Sequence, residues 1–386
     1  MSRISLVAVM LVVSALNLSS PNSAYAQAEG SGVFAGEQEI DTMPLLPDEF
    51  YRARVLEVVE HGTRDKTEEI ISSREVTVKL LNGPQKGEVV IIEDAGLFTT
   101  DPKQQKLRTG EKLVVIRQQG AQGVSYGIVD KYRIPALALV ASLFLALGIF
   151  FGRIRGLTSI LGLGFSVFVL AAWVVPRIIS GHDPLITGMV GILVIATVSI
   201  YLAHGFRKWT TVALLSTFVT LGISAGLAFL FVYLGKLAGA GSEAAFYIQI
   251  GSLQEINLRG LLLAGIMIGS LGVLDDITVG QTATLRELKA ANPALGFKEL
   301  YRRGLSVGRE HIASLVNTLA LAYVGASLPL FVLFSADSPL PTWALINSEL
   351  IAEEVVRTLV GSTALIFAVP IATALAAWYF GRSLRS

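Results

Sequence analysis

The chain contains no cysteine. Disulfides, zinc–thiolate centres, iron–sulfur clusters and cysteine nucleophiles are therefore excluded together. Charge is scarce as well. Asp, Glu, Lys and Arg make up 16% of the 386 residues, and the 31 basic and 30 acidic side chains leave a net charge of +1. A nucleic-acid binder would show a basic face or tail, and there is none. The sequence has no G-x-x-x-x-G-K-[ST] phosphate loop, no HExxH zinc motif and few histidines, four in all. Any uphill transport would have to draw on an ion gradient or on a partner ATPase, and no cofactor is expected. What the chain does have is apolar bulk: 52% hydrophobic residues and a mean hydropathy of +0.61. That composition points to several membrane spans and a bilayer environment.

The first residues read as a targeting segment. Arg3 supplies a basic start, Ile4–Leu18 an apolar run, and Ala24-Tyr25-Ala26 a small-residue cleavage site before Gln27. Residues 1–26 are thus expected to be a signal peptide, with an uncleaved anchor as the alternative. Either way the following segment is exported. Residues 27–46 are polar and turn-rich, as a linker would be.

From residue 47 to 132 the periodicity is two. Glu75–Leu80 alternates cleanly, placing Val76, Val78 and Leu80 on one face. Tyr51–Val59, Glu88–Ile92, Lys112–Arg117 and Val124–Val129 are also strand-like, with turn chemistry between them. Five short strands predict a small exported β-barrel with an OB-like fold, open to an envelope protein partner. His61–Ser73 and Asp94–Thr109 are expected to be its long loops, and His61 a solvated loop residue.

Residues 133–386 read as a membrane α-helical bundle. A span needs about 20 apolar residues, which predicts seven transmembrane helices at roughly 134–152, 157–176, 185–203, 210–234, 259–281, 312–334 and 356–380. Twelve Lys and Arg fall at one set of span ends and four at the other. The positive-inside rule then places the C-terminus in the cytoplasm and the β-domain outside a bacterial plasma membrane. Leu295–Arg309 reads as a basic amphipathic helix on anionic lipid.

The polar chemistry gathers in the fifth span and at the start of the sixth. Adjacent acids, Asp275 and Asp276, interrupt an apolar helix, and an ionisable residue at that depth costs at least ~2.5–3.5 kcal/mol. Gly265, Gly269, Gly272, Asp276 and Gly280 form one helical stripe, so the glycines are expected to pack helices and Asp276 to face the packed side. Asp275 lies about 100° away, on the side of Thr278. With Gln281, and with Asn317 and His311 from the sixth span, these residues are expected to line an ion- or proton-binding cavity. Like-charge repulsion and desolvation suit such a pair to proton sharing. Oxygen ligands would also suit a hard cation. An aspartyl hydrolase is disfavoured, since its two carboxylates must face one another. His182 and His204 read as solvated loop residues.

Gly272–Pro293 (GVLDDITVGQTATLRELKAANP) and Val307–Phe334 (VGREHIASLVNTLALAYVGASLPLFVLF) resemble the YibE/F-like family of bacterial multipass membrane proteins. The resemblance implies a multipass plasma-membrane protein and supplies no substrate. The functional expectation is a secondary transporter or channel for a small solute or ion. The alternative is a non-transporting envelope scaffold whose β-domain binds a partner.

Overall fold

The computed structural model describes residues 49–64, 70–94, 107–120, 123–251, 255–329, 332 and 341–382. The expected signal peptide and linker lie outside them. The chain divides into two compact units, with the boundary between Ala146 and Leu147.

The first unit is a five-stranded antiparallel sheet. Its strands are β1 (Glu49–Arg64), β2 (Ile70–Leu80), β3 (Val89–Asp94), β4 (Lys112–Gly120) and β5 (Gly123–Lys131), in the order β3-β2-β1-β4-β5. Alternation builds the core as the sequence leads one to expect. Val76, Val78 and Leu80 are buried on one face and register with Ile92, Val90 and Ala53 of the neighbouring strands. On the other side Tyr51 pairs with Val115, and Val115 with Ile128. Two irregularities break the alternation: Leu56 in β1 and Val129 in β5 are extra residues without a partner in the register. Such bulges bend and twist a sheet, and here the outer strands β3 and β5 curl toward each other.

His61–Ser73 is largely not a loop. β1 continues to Arg64 and β2 begins at Ile70, with His61 in register with Ser73. A backbone ladder needs no apolar side chain, so the polar sequence concealed it. The β2–β3 turn depends on Gly83, which has φ +82°, and a methyl there would sit 2.1 Å from Cε1 of Tyr51. Gly83→Ala is expected to destabilise this unit by about 2 kcal/mol or more, from left-handed backbone strain plus overpacking. Thermal melting of the full-length protein, followed at the β-sheet circular dichroism signal, is the check.

The second unit is helical, although its first helix begins at residues 134–146 of the first unit. α1 (Ile134–Val169) runs through a π turn (Leu170–Val174) into α2 (Val175–Ile179). It is followed by α3 (Pro184–His204), α4 (Lys208–Leu234), α5 (Glu243–Ile250), α6 (Leu258–Ala291), α7 (Phe297–Ala326), α8 (Thr342–Ile346) and α9 (Glu349–Arg382). Among the described residues five helical stretches are long and apolar enough to cross a membrane: 134–179, α3, α4, α6 and α9. The first is 46 residues long and is broken at Arg153 (φ 51°, ψ −134°), between the first two predicted spans. The chain doubles back there, so tightly that a methyl on Gly156 would lie 2.0 Å from the Gly148 carbonyl oxygen. α7 covers part of the sixth predicted span but is not among the five. Its amphipathic start buries Leu295 and Leu300 against Leu285, Ala376 and Ala377. Arg303 and Arg302 each bond Glu299 at 2.8 Å, and this holds the Glu299 carboxyl below the usual range.

α4, α6 and α9 pack on one another, α3 lies along α6, and α7 lies along α9. The pattern inverts that of a protein in water. α4 buries Thr210, Ser216, Thr217, Thr220 and Ser224 and exposes Leu215, Val219, Phe229 and Leu230. Small hydroxylated residues let helices approach closely. The hydroxyls of Ser216, Thr217 and Thr220 are satisfied on carbonyls four residues back. Asp183 starts α3 by accepting from Ile186 N at 2.9 Å, and Asn257 starts α6 by accepting from Gly260 N at 3.0 Å. These are N-caps of the usual kind.

Candidate functional site

The contact face of α6 is Met267, Ser270, Leu271, Leu274, Thr278, Gln281, Thr282 and Leu285, all buried. Two hydroxyl pairs join it to the antiparallel α4: Ser224 donates to Ser270 at 3.0 Å, and Thr217 pairs with Thr278 at 2.6 Å. Gln281 is fully buried. Its Nε2 donates to the Gly304 carbonyl of α7 at 2.6 Å and to Thr373 Oγ1 of α9 at 2.9 Å. Thr278 and Gln281 therefore tie four helices together around one level of the bundle.

The acids sit beside this face, with their roles exchanged. Asp276, expected on the packed side, is exposed, and Asp275 is the more buried of the two. Oδ1 of Asp275 is shielded from solvent and has no hydrogen-bond partner. The glycine stripe explains the exchange. A methyl on Gly265, Gly272 or Gly280 would meet nothing within 4 Å, and only at Gly269 does a neighbour approach, Tyr323 Oη at 3.2 Å. The stripe that carries Asp276 is thus open rather than packed, because the hydroxyl and leucine stripe beside it makes the helix contacts.

Asn317 and His311 are not brought to the acids. Both are exposed on α7. That helix docks through Leu300, Gly304 and Gly308, its buried residues. A methyl at Gly304 would lie 2.4 Å from Leu285 Cδ1, and one at Gly308 would lie 2.3 Å from Val369 Cγ1. Asn317 follows Gly308 by nine residues, which is about half a turn round the helix, so docking by the glycines turns it outward.

Two features escaped the sequence reading. The first is His204, the final residue of α3 and not a loop residue. It interacts electrostatically with Asp276 and with Arg155, and its ring lies 6.0 Å from that of Trp209. The Arg286 guanidinium sits 4.8 Å over the same indole. A lone histidine closing an otherwise uncharged span was the available signal. The second is at the opposite end of α6. Glu349 Oε1 accepts from the amides of Ala238, Gly239 and Ala240 at 2.5, 3.0 and 3.5 Å. Glu353 Oε1 accepts from Gly241 N at 3.0 Å. The predicted seventh span began at 356 and left both acids out.

In the half of the bundle toward Arg286, buried polar atoms without partners occur on both α4 and α6: Trp209 Nε1, Thr210 Oγ1, Asp275 Oδ1 and Gln281 Oε1. Unpaired buried polar groups are costly and mark places with a use beyond packing. Among the described residues no three His, Asp or Glu side chains converge as a metal site would require.

Long apolar helices with carboxylates at mid-helix depth define a polytopic membrane protein. Residues 140–382 match the family model described as YibE/F-like protein, and the chain belongs to that family. No curated protein and no solved structure matches it.

Proposed function

We propose that this protein is a secondary transporter or channel for a small solute or ion, with Asp275 and Asp276 as the binding acids. The observation that carries this reading is the pair itself: one carboxylate open on a helix face, the next turned inward with a shielded, unpartnered oxygen. Purely structural acids would be expected to find donors, as Glu349 and Glu353 do. Seven spans are part of the proposal. The 46-residue first stretch would be about 69 Å long as one helix, against a hydrocarbon core of about 30 Å, so its break at Arg153 suits two spans. α7 would supply the sixth. The basic ends at Arg153, Arg207, Arg286 and Arg382 would face the cytoplasm of a bacterial plasma membrane, with the β-domain outside. Strand order β3-β2-β1-β4-β5 with β3 beside β5 supports an OB-like barrel.

A scaffold reading draws on β3, whose Val89 and Ile91 are exposed on the outer face of the sheet and would suit an envelope partner. Single Asp275→Asn and Asp276→Asn variants in proteoliposomes separate the two. The transport reading expects folded variants with solute or ion flux reduced at least about tenfold, the loss of one charge-assisted contact. Wild-type vesicles without flux for any ion tested, together with variants that lose detergent stability, would leave the scaffold.

A further inference from the structure

We infer that His204 and Asp276 form one proton-binding pair, and that a proton is the coupling ion of the site. The inference rests on the transport reading of Asp275 and Asp276 and adds the chemistry of the ion.

The geometry comes from the packing of α3 on α6. A methyl on Gly188 would touch Ala264 Cβ at 2.7 Å, and one on Gly260 would lie 3.6 Å from Leu185 N. The two contacts rise together along both helices, so α3 and α6 run parallel. His204 follows Gly188 by the same sixteen residues as Gly280 follows Ala264, which places His204 level with Gly280. Asp276 stands one turn earlier on the same face as Gly280, a rise of about 6 Å. His204 also continues the buried stripe of Ile192, Ala196 and Ile200 one turn further along α3, so its imidazole stands near the level of the carboxylate on α6, in keeping with their mutual electrostatic effect.

The donor set favours a proton over a metal cation, since among the described residues no three His, Asp or Glu side chains converge. Arg155, from the second arm of α1, acts on His204 and opposes the imidazolium charge that Asp276 offsets. Asp275 is the neighbouring acid on α6. Arg286 is engaged by the Trp209 ring and by Glu287 at 2.6 Å, and Arg207 and Lys208, at the start of α4, are exposed. Histidine is the side chain whose charge ordinarily changes between about pH 5 and 8. Uptake adds one proton to a ring nitrogen beside a carboxylate that stays ionised. Release reverses this, and no other bond changes. Asp275, one residue before Asp276 and with a free acceptor oxygen, is the next station inward.

Trp209 reports on the pair without any transport assay, because its ring lies 6.0 Å from that of His204 and an imidazolium quenches indole emission. The measurement is the difference in emission between full-length wild type and Trp209→Phe in detergent, followed from about pH 8.5 to about pH 5. The expected result is a single quenching step on acidification that is absent in His204→Gln. In Asp276→Asn its midpoint should move to lower pH, because the carboxylate no longer offsets the imidazolium charge. In Asp276→Glu, which keeps the charge, it should return toward the wild-type position. A step that persists in His204→Gln, or a midpoint indifferent to both Asp276 variants, overturns the pair. Flux measured on the same proteins separates the two ideas. Flux without the step removes the proton pair and keeps transport, whereas the step without flux keeps the pair and removes transport.

Discussion

Replacing Glu349 and Glu353 together by alanine is expected to lower the stability of the helical unit by about 3 kcal/mol or more, the order expected when hydrogen bonds to charged acceptors are lost. The four consecutive amides of Ala238 to Gly241 all donate to these two carboxylates. Glu353 is only 4% exposed, so water cannot readily replace it. Both acids sit in the first turns of α9, where the helix dipole favours negative charge, and neither forms an ion pair among the described residues. The loop cannot easily rearrange to find other acceptors. A methyl on Gly239 would lie 2.3 Å from the Leu258 carbonyl oxygen, and one on Gly241 would lie 2.8 Å from Leu350 N. In a thermal-shift measurement the double variant should melt roughly 6–12 °C below wild type. Glu349→Gln, which keeps an acceptor oxygen, should recover much of the loss. A double variant that melts with wild type would show that the clamp contributes nothing net.

Gly308→Val is expected to displace α7 from the bundle. The first added carbon would lie 2.3 Å from Val369 Cγ1 and 3.0 Å from Gln281 Nε2. Relief by side-chain movement alone would disrupt the bonds from Gln281 to Gly304 and Thr373. Overpacking costs about 1–3 kcal/mol, and with a buried amide left without acceptors the total should reach about 3 kcal/mol or more. Because the chain has no native cysteine, a single cysteine in place of Leu300, fully buried in the wild-type fold, provides the readout. Its reaction with a thiol reagent should rise from near zero to near completion when valine is added at 308. Gly265→Val and Gly272→Val are the controls. They lie on the open stripe, where an added methyl meets nothing within 4 Å, and should leave melting unchanged. Strong destabilisation at Gly265 and indifference at Gly308 would restore the packing inferred from glycine spacing alone.

That contrast shows what was legible. Strand positions and the inward face of the sheet could be read because a β-domain in water must alternate, and Val76, Val78 and Leu80 do so. Helix positions could be read because hydrocarbon demands long apolar runs. The rotation of each helix could not. In water the polar face of a helix is its outside. In lipid both faces are apolar, and only small or hydroxylated residues distinguish the interior. α6 carries two such stripes, glycine with Asp276 and hydroxyl with Asp275, and spacing alone does not choose between them. The same ambiguity misplaced Asn317, whose side of α7 is set by the docking of Gly304 and Gly308.

The sequence by itself determined that this is a membrane protein with an alternating β-domain, that its acids interrupt an apolar helix, and to which family it belongs. Each of those properties is local, written in runs, periods and motifs along the chain. Only the tertiary structure decided which acid turns inward, that His204 rather than His311 stands beside Asp276, and that Glu349 and Glu353 hold the Ala238–Gly241 amides. Those are interactions between residues 72 to 112 positions apart. They depend on how helices with two nearly equivalent faces rotate against one another, and close packing between helices settles that rotation.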